Sequence, residues 1–404
     1  MKVVHISTTP KGGAANAAIR IHEALLKAGA DSHFIFLFGA PANISNVQKF
    51  TQKISLLKRV LNRLSLYKYY DQRLKKIKEQ IPFNYEIASL PYSDYCPEQL
   101  PLIKDADVIN IHWPTGFISY PDFFKKLADK KIVWTVHDMN PFSGIFHYSI
   151  DTRKIQAGSA LEAIDRQLIS LKKESYKIAS GLKFIGPSHW MKTELENSSI
   201  IPGNTVLHIP YCINQTFSYK PQKKQLRQKY QLPEDKTILL FVSESLENKR
   251  KGFDILMEAV KCIQSEEIVL CAAGKVNNQF VAQMNNKVYS LGYINNEEEM
   301  AEIYNACDCF LLPSRQDNLP NVMLEALGCG LPVISFKTGG MIDAIIDGFN
   351  GFLAPVINAE NLSAAIDKFV LGQEKFDSKK ISLHAHEVYA ENLIAERYIN
   401  EAYQ

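Results

Sequence analysis

Short runs rich in β-branched residues alternate with longer stretches of helical periodicity, and this alternation restricts the fold more than any other feature of the chain. The first run, KVVHIS, is followed by a helical pattern at 14–28; DSHFIFLF, ADVINIHW, KIVWTVHD and GLKFIGPS come next, with helical patterns at 120–130 and about 160–179. Such a succession predicts parallel strands joined by helices, as in a doubly wound α/β sheet. After a polar, Pro-containing, Lys-rich interval at about 214–236 the pattern restarts: TILLFVS, a helix at 252–264, IVLCAAG, VYSLGY, a helix at 296–306, CDCFLLPS, a helix at 320–328, PVISF, a helix at 340–347 and GFLA. Two Rossmann-like domains are therefore expected, at 1–205 and 206–385. No tandem repeat or low-complexity segment interrupts them. The last stretch, 386–404, places Val388, Leu393, Ile394, Tyr398, Ile399 and Tyr403 at helical spacing and predicts a closing helix.

A length of 404 residues, with 46% hydrophobic and 22% charged residues, suits two ordinary soluble domains. Ligand sites at the strand C-termini of two such domains are expected to face one another across a cleft. Seven cysteines, an odd number scattered mostly through apolar runs, form neither a disulfide framework nor a zinc motif and fit a reducing compartment. MKVVHIS enters a strand-like run at once, and nowhere do about 18 apolar residues follow one another, so a cytoplasmic protein is expected rather than an exported or membrane-spanning one.

Two turns carry chemistry. Thr9-Pro10-Lys11-Gly12-Gly13-Ala14-Ala15 follows the first strand and opens a helix, so Gly12 and Gly13 let the backbone approach a ligand beside a helix N-terminus. The pair departs from the G-x-G-x-x-G fingerprint, and a tight turn explains it about as well. The second motif runs from Pro313 to Val333, PSRQDNLPNVMLEALGCGLPV. Here an apolar strand enters a polar loop carrying Asp317, Pro320 suits a first helical position, and Glu325 follows on the helix. The amides of Asn321 and Val322 can point at a diphosphate, and Glu325 can accept from two vicinal hydroxyls such as those of a ribose. On these residues alone, a solvated loop and helix is as good a reading as a site.

Residues 313–353, ending TGGMIDAIIDGFNGFL, resemble the donor-binding signature of glycosyltransferase family 4, retaining enzymes of the GT-B fold with two acids separated by seven residues. Asp317 and Glu325 keep that spacing, with Asp317 where the family usually has Glu. The resemblance extends over nearly the whole chain, through Gly12-Gly13, TVHD at 135–138, GPSHW at 186–190, KRKGFDIL at 249–256 and a terminal helix of the kind that crosses back to the first domain. NIHWPTGF and VWTVHDMNPFSGIFHY are similar to members that build bacterial surface polysaccharides.

The resemblance implies retaining, metal-independent transfer of a sugar from a nucleoside diphosphate donor, of UDP or GDP type, to a hydroxyl of a glycan acceptor, lipid-linked in polysaccharide synthesis. No further cofactor is implied, and no Asp-x-Asp motif suggests a metal. Lys251, before Gly252 at a helix start, would neutralise the leaving diphosphate; the family's second cation falls at Ser245, so Arg250 or Lys249 would replace it. Asp317 would contact the donor sugar and Glu325 the ribose. His137, at a strand C-terminus, would contact the transferred sugar, although a lone histidine is more often structural. Asp138 would cap the turn. His112, Trp113, His147 and Tyr148 offer faces to an acceptor sugar or pack in the core. The rival enzymes are a sugar-nucleotide epimerase, which would convert donor without acceptor, and a phosphorylase, which would need orthophosphate or a pyridoxal lysine.

The formal net charge of +3 is unevenly spread: residues 49–80 hold ten Lys or Arg against Asp71 and Glu79, which leaves the remainder net acidic. Ile54, Leu57, Leu61, Leu64 and Lys68 fall at helical steps among these cations. Such a stripe either lies on an anionic membrane surface or packs on the first domain with its cations in water. A non-enzymatic protein binding nucleic acid or membrane through this segment would leave the 313–353 motif unexplained, and no nucleic-acid partner is expected.

Overall fold

The computed structural model describes all residues except 41–43, 53, 180, 202, 244–247, 264 and 275–285. Val3, Val4 and Ile6 are fully buried in β1 (Lys2–Ser7), as befits a strand covered on both faces. Its sheet also contains β2 (Asp31–Phe36), β3 (Val47–Lys49), β4 (Val108–Ile111), β5 (Lys131–Thr135), β6 (Lys183–Gly186) and β7 (Thr205–His208), in the order β3-β2-β1-β4-β5-β6-β7. The second sheet is built from β8 (Thr237–Ser243), β9 (Ile268–Gly274), β10 (Val288–Gly292), β11 (Cys309–Leu312), β12 (Val333–Phe336) and β13 (Gly351–Ala354), ordered β10-β9-β8-β11-β12-β13. Strand pairing is parallel in both. The chain thus has the expected Rossmann-like sheets, and the strand order reverses between β1 and β4 and between β8 and β11. Doubly wound sheets open a crevice for ligands at such points, beyond the strand C-termini.

Each unit has its own core. In unit 1, Phe124, Trp134, Tyr176 and Phe184 pack ring against ring with centroids 5.5 to 6.3 Å apart. In unit 2, Leu239, Phe241 and Leu270 pack with Phe253, Ile366 and Phe369 from the covering helices. Unit 1 comprises Met1–Pro210 and Asn392–Gln404, unit 2 Tyr211–Glu391. These limits differ from the expected 205/206 and 385/386. The helix Ser378–Tyr389 stays with unit 2, where Ser382 Oγ donates to the Gly328 carbonyl at 2.5 Å and His386 Nε2 meets the Phe217 carbonyl at 2.9 Å. Beyond Ala390, which is extended, Glu391–Arg397 and a π-helical turn at Tyr398–Ala402 complete the chain. Asn110 Nδ2 donates to Tyr403 Oη at 2.7 Å, and Thr135 and Tyr398 share a hydroxyl contact at 3.1 Å, which ties the last residues to β4 and β5.

Other elements also depart from the expected pattern. β3 and β7 are short edge strands without a fully buried residue that the expected pattern lacks; VQK carries no apolar run, whereas Val206 and Leu207 in β7, with Ile209 just beyond it, form one. The helix expected at 340–347 is only Met341–Ala344, because Ile345 turns extended and the Asn350 side chain bonds the Ile346 amide and the Ala344 carbonyl. The 49–80 segment folds as two helices, Leu56–Arg63 and Tyr70–Lys78. Ser55 caps the first by accepting from the Lys58 amide, and Ser65, at φ +58°, ends it, so Ile54 and Lys68 lie outside that helix. Among the described residues no helix is long and apolar enough to cross a membrane.

Candidate functional site

In unit 2 the loop after β11 meets the turn before the helix Phe253–Lys261. That turn, Lys249–Lys251, ends at Gly252 with φ +70°, where a Cβ would lie 1.9 Å from the Pro313 carbonyl oxygen. Glycine therefore lets the two backbones touch. The approach brings Lys251 Nζ to 2.7 Å and Arg250 Nη1 to 3.3 Å from Asp317 Oδ2, and Arg250 also donates to the Gln316 carbonyl at 2.9 Å. Burial would raise the Asp317 pKa, but Lys251 and Arg250, with the Asn318 amide, outweigh it and hold the carboxyl below its ordinary value. Lys249 points to solvent, so Arg250 is the second cation beside Asp317. Ser245 lies outside the described residues.

Helix Asn321–Gly328 starts after Pro320, whose carbonyl accepts from the Met323 and Leu324 amides at 3.0 and 3.3 Å. The amides of Asn321 and Val322 precede these at the helix opening, the end that attracts anions, and no acid occupies the first turn. Glu325 is buried, and Tyr304 Oη donates to its Oε2 at 3.2 Å. Asp317, Glu325, both cations and this helix start thus belong to one unit, on the C-terminal side of β11. Tyr304 had no recognisable signal in the sequence, since it lies within an ordinary amphipathic helix, Glu297–Ala306.

In unit 1, Gly12 at φ +99° turns the chain into helix Gly13–Lys27, whose first turn also lacks an acid. Both glycines are exposed. Elsewhere in unit 1 three imidazoles form a chain: His5 Nδ1 lies 2.8 Å from His112 Nε2, and His112 Nδ1 lies 3.0 Å from His137 Nε2. Burial lowers all three pKa values, that of His137 to about 4. A neutral imidazole has one donor and one acceptor nitrogen, so the chain runs in one of two directions. His5 Nε2 is buried without a hydrogen-bond partner among the described residues. Orphaned donors are rarer than orphaned acceptors, which favours protons on His5 Nδ1 and His112 Nδ1 and leaves His137 Nε2 as the final acceptor.

Asp138 does more than cap its turn. It accepts from the Asn140 amide at 2.9 Å, Trp113 Nε1 at 3.0 Å and His147 Nδ1 at 2.7 Å, and His147 Nε2 meets Ser89 Oγ at 2.8 Å. His147, His112 and Asp138 are buried behind the surface, while Trp113, Tyr148 and His137 are half-buried. Of the four aromatic candidates for acceptor contact, only Trp113 and Tyr148 thus reach solvent. Below them Lys172, fully buried, donates to the carbonyls of Asn140, Ser143 and Gly144 at 2.6 to 2.9 Å. Nothing at helical position 172 distinguishes this lysine from its half-buried neighbour Lys173. Among the described residues no three His, Cys, Asp or Glu side chains could hold a metal ion.

Residues 222–381 match the family described as glycosyl transferases group 1. Over 181 residues, 44% of this chain, the sequence is 27% identical to the N,N'-diacetylbacillosaminyl-diphospho-undecaprenol alpha-1,3-N-acetylgalactosaminyltransferase of Campylobacter jejuni; the match covers 47% of that protein, so the chain spans about half the length of this curated relative. The fold is similar to sucrose-phosphate synthase from Thermosynechococcus elongatus, with a TM-score of 0.69 at 18% identity over 98% of this chain and 97% of that one. It is also similar to Anabaena Alr3699/HepE, solved in complex with UDP and glucose, with a TM-score of 0.66 at 16% identity over 99% and 98% of the two chains.

Proposed function

From a chain that carries a glycosyl transferases group 1 domain in its second unit, we propose a retaining glycosyltransferase that moves a sugar from a nucleoside diphosphate donor to a hydroxyl of a lipid-linked glycan at the inner face of a membrane. The observation that carries this reading is the grouping of Lys251, Arg250 and Asp317 with the start of helix Asn321–Gly328 and the buried Glu325. Two cations and helix amides suit a diphosphate that gains charge as it departs, which is electrostatic work a metal does elsewhere. Glu325, held by Tyr304, suits the paired hydroxyls of a ribose.

In the proposed reaction the acceptor oxygen attacks the anomeric carbon on the face the diphosphate leaves, the bond from carbon to phosphate oxygen breaks, and the acceptor proton passes to that oxygen. Asp317 orients the sugar, and neutral His137 bonds one of its hydroxyls. In unit 1, Trp113 and Tyr148 give the acceptor ring apolar faces. The lipid-linked acceptor follows the name of the Campylobacter relative, and a UDP-sugar is the first donor to try because HepE was solved with UDP.

A panel of UDP- and GDP-sugars tests the reading. The matching donor should raise the melting temperature and be consumed only when a glycan acceptor is present, with product of the donor's anomeric configuration. Inverted product would exclude the retaining step, and conversion of donor without acceptor would identify an epimerase. No response to any nucleotide sugar would remove the donor site.

A further inference from the structure

Helix Leu56–Arg63 presents its polar side to the protein and its apolar side to water. Lys58 Nζ donates to the Asp94 carbonyl at 3.0 Å, and Asn62 Nδ2 donates to the Tyr67 carbonyl at 2.8 Å and Gln72 Oε1 at 2.7 Å. At 100° per residue Leu56, Val60, Leu64 and Leu57 share an arc of about 100° on the other side. No residue of the helix is buried; Leu56 is 68% exposed, Leu57 67% and Leu64, just past the helix, 61%. The following helix, Tyr70–Lys78, has the usual polarity: Tyr70, Leu74 and Ile77 pack on the core cluster that includes Ile145 and Phe146, while Lys75, Lys76 and Lys78 face solvent. The inversion is therefore local, and the fold does not require it. Asp94 sets it by accepting from Tyr67 Oη at 2.6 Å and the Tyr70 amide at 2.9 Å, which fixes the turn between the two helices.

We infer that Leu56, Leu57, Val60 and Leu64 enter the interfacial region of an anionic bilayer, with Arg59 and Arg63 on its headgroup phosphates. Charge identifies this occupant. Arg59, Arg63 and Lys68 are exposed, and neither arginine forms an ion pair with a described residue. A second copy seated on the same face would bring Arg59 and Arg63 of each copy against those of the other, with no acid in either helix to pair them. An amphipathic helix with basic flanks and aliphatic side chains instead matches a leaflet of negative phosphates over hydrocarbon. The position fits as well. Tyr70 packs against Gly116 in the loop that follows β4, and Ile145 and Phe146 lie in the segment leading to His147 and Tyr148, so it is helix Tyr70–Lys78, joined to the docking helix through Asp94, that flanks the acceptor-side residues of unit 1. The purpose of the contact rests on the proposed lipid-linked acceptor; the surface itself does not.

Co-sedimentation with vesicles of phosphatidylcholine, or of an equimolar mixture with phosphatidylglycerol, at low and raised salt tests the inference. Binding should require the anionic lipid and weaken with salt. Arg59→Gln with Arg63→Gln should weaken it by about fivefold for each cation removed. Leu57→Ser with Leu64→Ser should weaken it more than about tenfold, and because these side chains already face water the melting temperature should not change. Equal binding to both vesicles, binding to neither, or wild-type binding by the leucine variant would overturn the inference. So would a lipid-free dimer that the leucine variant abolishes. Should the leucine variant fold poorly, the lipid and salt dependence of the unaltered chain decides alone. Transfer to the same glycan on a short water-soluble chain reports the acceptor reading separately and should be equal in all forms. A protein that binds anionic vesicles but transfers to no glycan keeps this surface and loses that reading; one that transfers but ignores vesicles does the reverse.

Discussion

Lys251 Nζ lies 2.7 Å from Asp317 Oδ2, so the lysine proposed to face the leaving group and the acid proposed to face the sugar already neutralise each other before any donor binds. Arg250, whose side chain is 7% exposed, approaches the same oxygen at 3.3 Å and holds a backbone carbonyl besides. Arg250 is thus fixed in place, whereas Lys251, at 36% side-chain exposure, has room to turn from Asp317 to an arriving diphosphate.

Lys251→Ala should therefore lower the transfer rate by about 2.7 to 4 kcal/mol of transition-state stabilisation, the cost of a preorganised donor at a developing negative charge. Arg250→Ala should lose activity and stability together, since it also leaves the Gln316 carbonyl without its guanidinium. Steady-state kinetics beside thermal melts check both. A fall of less than about threefold in kcat for Lys251→Ala would show that another cation carries the charge.

Glu325→Ala should act on donor binding and Asp317→Ala on turnover, because one acid is proposed to hold the remote ribose and the other the reacting sugar. Tyr304, fully buried, donates to Glu325, so Tyr304→Phe should raise the donor KM about fivefold with little change in kcat, as expected when one hydrogen bond that positions a carboxylate is lost. An unchanged KM in Tyr304→Phe would confine that tyrosine to packing.

Activity should survive a chelator. The proposed charge stabilisation comes from Lys251, Arg250 and the amides at the start of helix Asn321–Gly328. Turnover measured before and after EDTA checks this, and complete loss restored by magnesium or manganese would replace the mechanism with a metal-assisted one.

The histidines of unit 1 set a pH dependence of folding. Burial holds His137 at about 4, and burial with the Arg397 guanidinium nearby holds His208 at about 4, against 6.5 for an exposed imidazole. Between those values the unfolded chain binds protons that the folded chain refuses. The stability that these groups confer is thus complete above pH 6.5 and lost progressively as pH falls toward 4. Melts at about pH 7 and about pH 5 should show a lower melting temperature in acid, less steeply in His137→Asn. Nitrogen NMR should find His137 neutral with its proton on Nδ1; a proton on Nε2 would reverse the direction argued for the chain through His112 and His5.

The architecture was legible in local pattern. The runs that became β1, β5, β8 and β11 lie inside the stretches expected to be strands, and PSRQDNLPNVMLEALG places Asp317 in a loop and Glu325 on a helix because loop polarity and helix starts are written in adjacent residues. The edge strand β3 was not legible, since an edge needs no apolar run, whereas β7 carries one in Val206 and Leu207, with Ile209 just beyond, that the expected strands left out. Nor was the outward-turned apolar face of Leu56–Arg63, whose periodicity shows amphipathicity but not which side the protein takes.

By itself the sequence determined two parallel α/β units, the acid pair at its spacing and the concentration of cations at 49–80. Only tertiary structure decided that Arg250 rather than Lys249 stands beside Asp317, that Asp138 gathers Trp113 and His147, and that His5 and His112 line up behind His137. It also decided that Lys172 is buried under the 140–144 backbone and that Tyr398 and Tyr403 close onto Thr135 and Asn110. The physical reason is range. Strand and helix follow from side-chain directions that repeat every few residues, whereas a hydrogen bond between Thr135 and Tyr398 joins groups 263 positions apart, and nothing local to either one names its partner.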